Sequence, residues 1–429
     1  MSKEQYTEAP RSLPVLDRVN VLVLGGGVAG FAVAVSAARQ GSKTLLVDSA
    51  SAIGGMSTTG LMSHFTGTVN SSLYREVLQR MLDKRDECSA EAPTNIIDPE
   101  ALKAVYLEML AESGASLLLY TMACAPIMDG KRIAGAIIEN KDGRQAIWAD
   151  VTVDATGDGD IAARAGVPYT LGREEDGSMQ PATLMFKLGG VDTQRAKFPG
   201  SFETLVHTKK GELQALARQA LPAPAGHVLL YRTSLPGVVT VNMTNATQID
   251  GTHTASLTQA ERICRSQMPA IVRFLREYVP GYERCFVVSA AAMMGIRETR
   301  HFEGVYTLTD EDILSHRCFE DWIVKDAFFN FDVHNMTGGG LDATGVQKGF
   351  PCDAYYQIPY RCCLPREVEG LLLAGRLISG THMAHSNYRA MPICLAMGEG
   401  VGAAAALAVR QGITPRAVSV RDVQRILMA

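Results

Sequence analysis

Between Thr381 and Arg389 the sequence gathers His382, His385, Asn387, Tyr388 and Arg389. An imidazole titrates near ~6.5 and can give or take a proton at neutral pH, while a guanidinium forks onto a carboxylate and holds it. His382 is the first candidate for acid or base and Arg389 for a substrate clamp; the competing reading is that both histidines satisfy loop backbone groups. A second cluster, Arg297, Glu298, Arg300 and His301, stands upstream, with Asp332 and His334 beyond it. Arg297 or Arg300 reaches a substrate in one reading, Arg297 being the preferred second clamp. In the other, Arg297 and Glu298 are only an ion pair fixing a domain junction. His334, in a DxH arrangement, is a candidate base oriented by its neighbour; it has no third ligand-like partner in sequence, so no metal is expected.

These side chains need a scaffold. The apolar run Val21–Leu24 breaks at Gly25-Gly26-Gly27 and resumes as a helix-like segment, Phe31–Gln40. Gly25 suits a tight turn, Gly27 lets a pyrophosphate approach the backbone, and Gly30, after Ala29, lets helix and strand pack closely. Phosphates would face unpaired N–H groups and the positive end of the helix dipole. Asp48 stands 18 residues after Gly30, behind a second apolar run, Thr44–Val47. A carboxylate there accepts hydrogen bonds from a ribose and disfavours a 2′-phosphate, so a dinucleotide other than NADP is expected.

Asp98 and Pro99 open a helix with Leu102, Val105, Tyr106, Met109 and Leu110 on one face, closed by Gly114. Ser116–Tyr120 follows as a strand. Asp129-Gly130 and Lys141-Asp142-Gly143 are hairpin signals, so a β-meander replaces a further βα repeat. It leads into Val151–Asp160, a strand ending in small residues and acids. From about Pro168 to Ile358 the character changes: strand-like runs (Thr183–Leu188, His227–Thr233, Val238–Met243), a helix at Thr258–Tyr278, and a glycine-rich loop, Thr337–Gly349, that is either a lid or an ordinary surface loop. The first pattern then returns. Leu371–Leu373 meets Ala374-Gly375-Arg376, and Met391-Pro392-Ile393-Cys394 opens a small-residue helix running to about Val409. The expected fold is α/β: a Rossmann-like domain with a β-meander (15–167 and 359–429), interrupted by an inserted α+β substrate domain (168–358).

Forty-one basic and 45 acidic residues give a net charge of −4 without any basic block, which argues against nucleic acid and acidic membrane surfaces as partners. Met1–Pro14 has no apolar core and reads as a disordered lead-in rather than a signal peptide. No stretch reads as the ~20 apolar residues of a membrane helix, the Ala-rich run Val401–Val409 being too short. A soluble, cytoplasmic protein without membrane insertion is expected. Nine cysteines, Cys88, Cys124, Cys264, Cys285, Cys318, Cys352, Cys362, Cys363 and Cys394, include no CxxC pair. Cys362-Cys363 could be a redox dithiol, but adjacent cysteines close a strained ring and incidental thiols are favoured; Cys394 reads as a packing residue.

Taken together, GGGVAG, Asp48, Gly54-Gly55-Met56-Ser57-Thr58, VDATGDGD and LLLAGR with its following helix resemble the FAD-dependent oxidoreductases of the two-dinucleotide-binding-domain, glutathione-reductase-like superfamily. Gly295–Arg300, Tyr306–Thr309, Asp332-Val333-His334, Ile358–Arg361 and Ala374–Gly402 look more narrowly like its "FAD dependent oxidoreductase" family, from about residue 19 to the C-terminus. The resemblance implies non-covalent FAD and a core distantly similar to fumarate reductase flavoproteins. Its binding residues would be Gly25, Gly27, Ala29, Gly30, Asp48, Gly55, Met56, Ala123, Thr156, Gly157, Asp158, Gly375 and Arg376. The helix N-terminus at Pro392 and Ile393 would face the flavin's pyrimidine end, where reduced flavin carries negative charge. A polar residue near His382 and an arginine at Arg389 match the family pattern, whereas His385 and Asn387 depart from it.

The superfamily's disulfide reductases carry a CxxxxC pair that Gly54–Gly60 lacks, and iron–sulfur cysteine runs are missing too. The resemblance therefore implies hydride transfer between flavin N5 and a carbon of a small polar substrate, as C–OH or C–C oxidation or C=C reduction, with an unspecified electron acceptor or donor. The alternative is a flavin-carrying electron-transfer subunit of a multi-protein complex. His64 does not match the spacing of the covalent-flavin histidine in succinate dehydrogenases and is left as a pocket candidate.

Overall fold

One long strand organises the computed structural model, which describes residues 6–85 and 92–429. Gly143–Asp154 pairs along one side, in parallel, with Val15–Leu24. Its opposite side is shared. The first half pairs antiparallel with Arg132–Asn140, which continues the meander to Met122–Asp129, while Thr152–Asp154 pairs in parallel with Leu371–Leu373. Thr44–Val47 and Ser116–Leu118 extend the parallel side of this seven-stranded sheet. The expected meander and the distant return strand thus meet on the same edge of one strand.

Gly25 (φ 104°) turns the chain off the first strand, and a Cβ at Gly30 would overlap the Gly25 carbonyl oxygen. Only glycine lets the helix Val28–Arg39 start so close to the sheet. The long helix Met391–Gln411 packs on that helix just as closely. A Cβ at Gly398 would collide with Ala29 O, and one at Gly402 would stand 2.5 Å from Val33 O. Met391–Gln411 is long and apolar enough by composition to cross a bilayer, contrary to the expectation drawn from Val401–Val409 alone. Nearly all of Pro392–Ala408 is buried inside the protein, which accounts for that composition. Its one acid, Glu399, accepts from Ser71 Oγ, Ser72 Oγ and Leu73 N at the start of the helix Ser72–Asp83. A last helix, Val420–Met428, was not anticipated.

A second hydrophobic core joins a four-stranded antiparallel sheet (Leu230–Arg232, Val239–Val241, Phe186–Gly189, Phe286–Ala290) to the helix Thr254–Tyr278 through Cys264, Met268, Ile271 and Leu275. This core spans only Ala182–Ala291. From Phe302 onward the chain packs in the first core, and Trp322–Phe328 pairs with both Thr68–Asn70 and Tyr356–Pro359. The inserted core is therefore narrower than 168–358, because a strand's sequence pattern does not say which core receives its apolar face. Cys362 and Cys363 are buried free thiols, as is Cys394; Cys88 lies outside the described residues.

Gly398→Leu should force the two helices apart and cost about 1–3 kcal/mol, read as a lower thermal unfolding midpoint. An unchanged midpoint would contradict this packing.

Candidate functional site

The segments expected to hold a dinucleotide converge at the carboxyl ends of the parallel strands, where open α/β sheets bind ligands. Gly54 N donates to Gly26 O, bringing Gly55 and Met56 against the glycine turn. Asp48 Oδ2 accepts from Gly26 N at 2.5 Å and Oδ1 from Ala50 N at 2.8 Å, leaving each oxygen a further lone pair. Thr121 N donates to Asp48 O, so Ala123 lies two residues from the same corner. A Cβ on Gly375 would touch the Ala29 methyl at 3.2 Å, which places the return strand beside the first turn. Asp158 Oδ1 accepts from Arg376 at 2.5 Å and from Thr299 Oγ1 at 2.7 Å. The helices Val28–Arg39 and Met391–Gln411 both begin without a side-chain cap, at Gly27 and Ala390. Among the described residues, nothing lies within 4 Å of where a Cβ on Gly27 would stand. Uncapped N–H groups beside open space fit a pyrophosphate at the first helix and a developing anion at the second.

Asp154, which precedes this corner, serves the fold instead. It is fully buried, accepting from Thr156 N and Oγ1 and from Ile161 N and Ala162 N. The ATGDGD turn is thereby fixed before any ligand arrives.

A cavity of about 360 Å³ opens between Met56, Arg376, Arg389, Ala390 and Met391 on the sheet side and Thr183, Tyr231, Asn242, Arg297 and His334 opposite. Arg389 Nη2 donates to both Asp332 O (2.7 Å) and Asp332 Oδ2 (2.9 Å). Gln347 Nε2 holds Asp332 Oδ1 at 2.6 Å, and His334 Nε2 lies 3.4 Å from Oδ2. Burial alone would raise the Asp332 carboxyl, but His334, Arg389 and Arg297 hold it well below the usual range. His334 is pushed down to about 4 by burial first and by the Arg297 charge second, so it is neutral at pH 7. Arg297 is buried, donates to Pro181 O, and makes no ion pair among the described residues. Burial brings it down to about 10, still a cation.

The structure brings Arg297, His334 and Arg389 together on the cavity and leaves His382 outside it. The His382 ring turns away to Glu298, Nδ1 lying 2.6 Å from Oε1, and His301 Nε2 reaches the same oxygen at 2.8 Å. Of the two readings of Arg297, the ion pair with Glu298 is not formed, and Glu298 takes these imidazole contacts instead. The glycine-rich loop is tied down, with Phe331↔Val346 and His334↔Leu341 bridges and Asn245 Nδ2 donating to Gly338 O. It supplies Gln347 and Lys348 to the cavity wall. His64 also lines the cavity, 4.9 Å from the Tyr231 ring. Sequence reasoning missed Tyr231, Asn242, Gln347 and Lys348, which no motif marks. Cys394 donates to Tyr388 O, and burial pushes its thiol up to about 12, as suits a packing residue.

Fold and site together define a dinucleotide-binding oxidoreductase with a polar cavity against its nucleotide domain. The chain belongs to the FAD dependent oxidoreductase family, whose model matches residues 20–427, and its cofactor is FAD. Among solved structures, p-nitrophenol 4-monooxygenase from Pseudomonas putida DLL-E4 is 11% identical, with 96% of this chain and 85% of that one covered and a TM-score of 0.50. A geranylgeranyl bacteriochlorophyll reductase-like protein from Thermoplasma acidophilum is 15% identical, covering 96% and 82%, with a TM-score of 0.48. At this identity the likeness to the monooxygenase shows the fold alone. No curated protein matches the sequence.

Asp48→Ala should weaken FAD binding by about 1.5–3 kcal/mol, roughly 10- to 100-fold, in a fluorescence titration of the apoprotein. A second outcome follows from His334 and from His227, which burial brings down to about 3. Both are neutral in the fold but protonated in the unfolded chain below pH ~6.5, so stability is lost as pH falls from there toward about 4. The unfolding midpoint should drop over that window, and less so in His334→Asn.

Proposed function

We propose that this FAD-dependent enzyme acts as a dehydrogenase or reductase on a small, carboxylate-bearing organic substrate. When bound, FAD supplies the two-electron exchange, a hydride moving between N5 and a substrate carbon. The observation that carries the reading is Arg297, a buried guanidinium without a carboxylate partner among the described residues, on the wall of a cavity that also holds an uncapped helix N-terminus. A buried charge is costly unless paired, and a substrate carboxylate would complete it.

His334 takes the acid–base role first given to His382, because it lines the cavity and His382 does not. Its neutral ring can accept the proton released when C–OH is oxidised, or return it in the reverse direction. A carboxylate on Arg297 would offset the cation that helps depress His334, so substrate binding would strengthen the base. Arg389, locked on Asp332, positions that carboxylate beside His334 rather than clamping substrate itself. Kinship with the glutathione-reductase-like superfamily and fumarate reductase flavoproteins belongs to the same proposal, supported by the glycine turn, the meander and the return strand.

The experiment is anaerobic bleaching of the bound flavin with a panel of hydroxy acids, and reoxidation of reduced enzyme with enoates. His334→Asn should keep the FAD spectrum and slow flavin reduction roughly 100-fold or more. Arg297→Met should cost about 2–5 kcal/mol in KM for carboxylate substrates and little for their esters. Reduction that proceeds unchanged in both variants would sink the assignment.

A second reading, a flavin-carrying electron-transfer subunit, is favoured by the outward Phe286, Val287 and Val288 on an edge strand, 45–55% exposed. It predicts that no small substrate reduces the flavin of the isolated chain.

A further inference from the structure

Behind the cavity wall lies a second polar cluster that the proposed chemistry does not use. The Glu298 carboxylate and one ring nitrogen each of His301 and His385 lie within 4.8 Å of one another, and all three residues are at least nine-tenths buried. His301 sits three residues beyond Glu298, and His385 comes from the short helix His382–Tyr388, whose first residue also contacts Glu298 Oε1. The other carboxylate oxygen accepts from Gln180 N at 3.1 Å. Three imidazole nitrogens here, His301 Nδ1, His382 Nε2 and His385 Nδ1, are buried without a hydrogen-bond partner among the described residues. His301 and His382 already turn their other ring nitrogen to Glu298 Oε1, whereas the His385 ring makes no hydrogen bond among the described residues. Buried polar groups are ordinarily satisfied, so this imidazole beside the carboxylate points to a missing partner.

We infer that Glu298, His301 and His385 form a divalent-metal site of the zinc class, with His382 hydrogen-bonded to the ligating carboxylate. Two neutral imidazoles and one carboxylate are a donor set that zinc accepts, and an outer histidine on the carboxylate is the usual means of fixing its orientation. Ligand atoms at zinc distances stand roughly 3.3 Å apart, so small side-chain rotations would close the cluster. The neighbouring guanidiniums of Arg389 and Arg376 are already paired, with Asp332 and Asp158. Arg297, next to Glu298 in the chain, lines the cavity. An ion would tie the Arg297–Glu298 segment to the helix that leads into Arg389, fixing two residues of the cavity wall without entering it.

Metal content of the tag-free holoprotein, measured by plasma mass spectrometry after dialysis against zinc sulfate and then metal-free buffer, tests the site. About one zinc per chain is expected. The double variant His301→Gln/His385→Gln should retain the FAD spectrum and lose that equivalent. Zinc far below stoichiometric in the parent protein, or equal zinc in parent and variant, would overturn the site and leave the cluster as a hydrogen-bonded charge pair. Should the double variant fail to fold, the parent protein's unfolding midpoint decides. A rise of several degrees with zinc over EDTA supports the site, and an unchanged midpoint refutes it.

Discussion

Everything at the site depends on two helices meeting almost backbone to backbone. Val28–Arg39 begins at the glycine turn and Met391–Gln411 begins at the cavity, and their contact is possible because Gly398 and Gly402 present no Cβ to Ala29 O and Val33 O. Each glycine costs a helix interior about 1 kcal/mol relative to alanine. Close packing of a long buried surface outweighs that cost, since a larger residue would separate the helices and move one uncapped N-terminus away from the other. Helix starts about 360 positions apart in sequence are thereby held side by side.

The cavity's electrostatics follow from how its arginines are divided. Arg376 is held by Asp158 and Arg389 by Asp332, and these pairs keep their charges inside the protein at a tolerable desolvation cost. Arg297 has only the Pro181 carbonyl among the described residues. Its burial lowers its proton affinity without neutralising it, so the wall keeps a net cation facing the space between the two cores. Asp332 has a double effect. It binds Arg389 and raises the proton affinity of His334, while burial and Arg297 lower that affinity further than Asp332 raises it. The neutral imidazole is the result of that contest.

The glycine turn and its acid were legible in the sequence because their requirements are local: a glycine that must turn, a glycine that must admit a helix, and an acid at the end of the next strand. Gly25, Gly30 and Asp48 each state a backbone or hydrogen-bond need within a few residues of themselves. The cavity was less legible, since its wall is assembled from segments around Met56, Thr183, Tyr231, Arg297, Asp332, Gln347 and Arg389, and nothing in any one of them names the others. The extent of the inserted core was hidden for a similar reason. Phe302, Ile323 and Tyr356 look as apolar as Phe186 or Val239, yet they pack in the first core.

The position of His382 outside the cavity has a more specific cause, which also explains how one stretch of chain serves two polar environments. His382 and His385 are three residues apart on a helix and share a face, and that face is turned to Glu298. Arg389, at the end of the same helix, points instead to Asp332 and the cavity. On the opposing segment Arg297 and Glu298 are neighbours that leave the backbone in different directions, one to the cavity and one to the histidines. Two facing segments therefore form a wall whose sides differ in charge: the Arg297 and Arg389 guanidiniums toward the cavity, a carboxylate and three imidazoles behind it. Proximity in sequence grouped His382 with Arg389 and Arg297 with Glu298, whereas side-chain direction separates the members of each group. The cavity's own carboxylate, Asp332, is taken up by Arg389, so it does not pair with Arg297. Glu298 is turned to the histidines behind the wall, and with Asp332 held by Arg389 the Arg297 cation keeps no carboxylate partner among the described residues, so the division of acids between the two clusters is what leaves the cavity its charge.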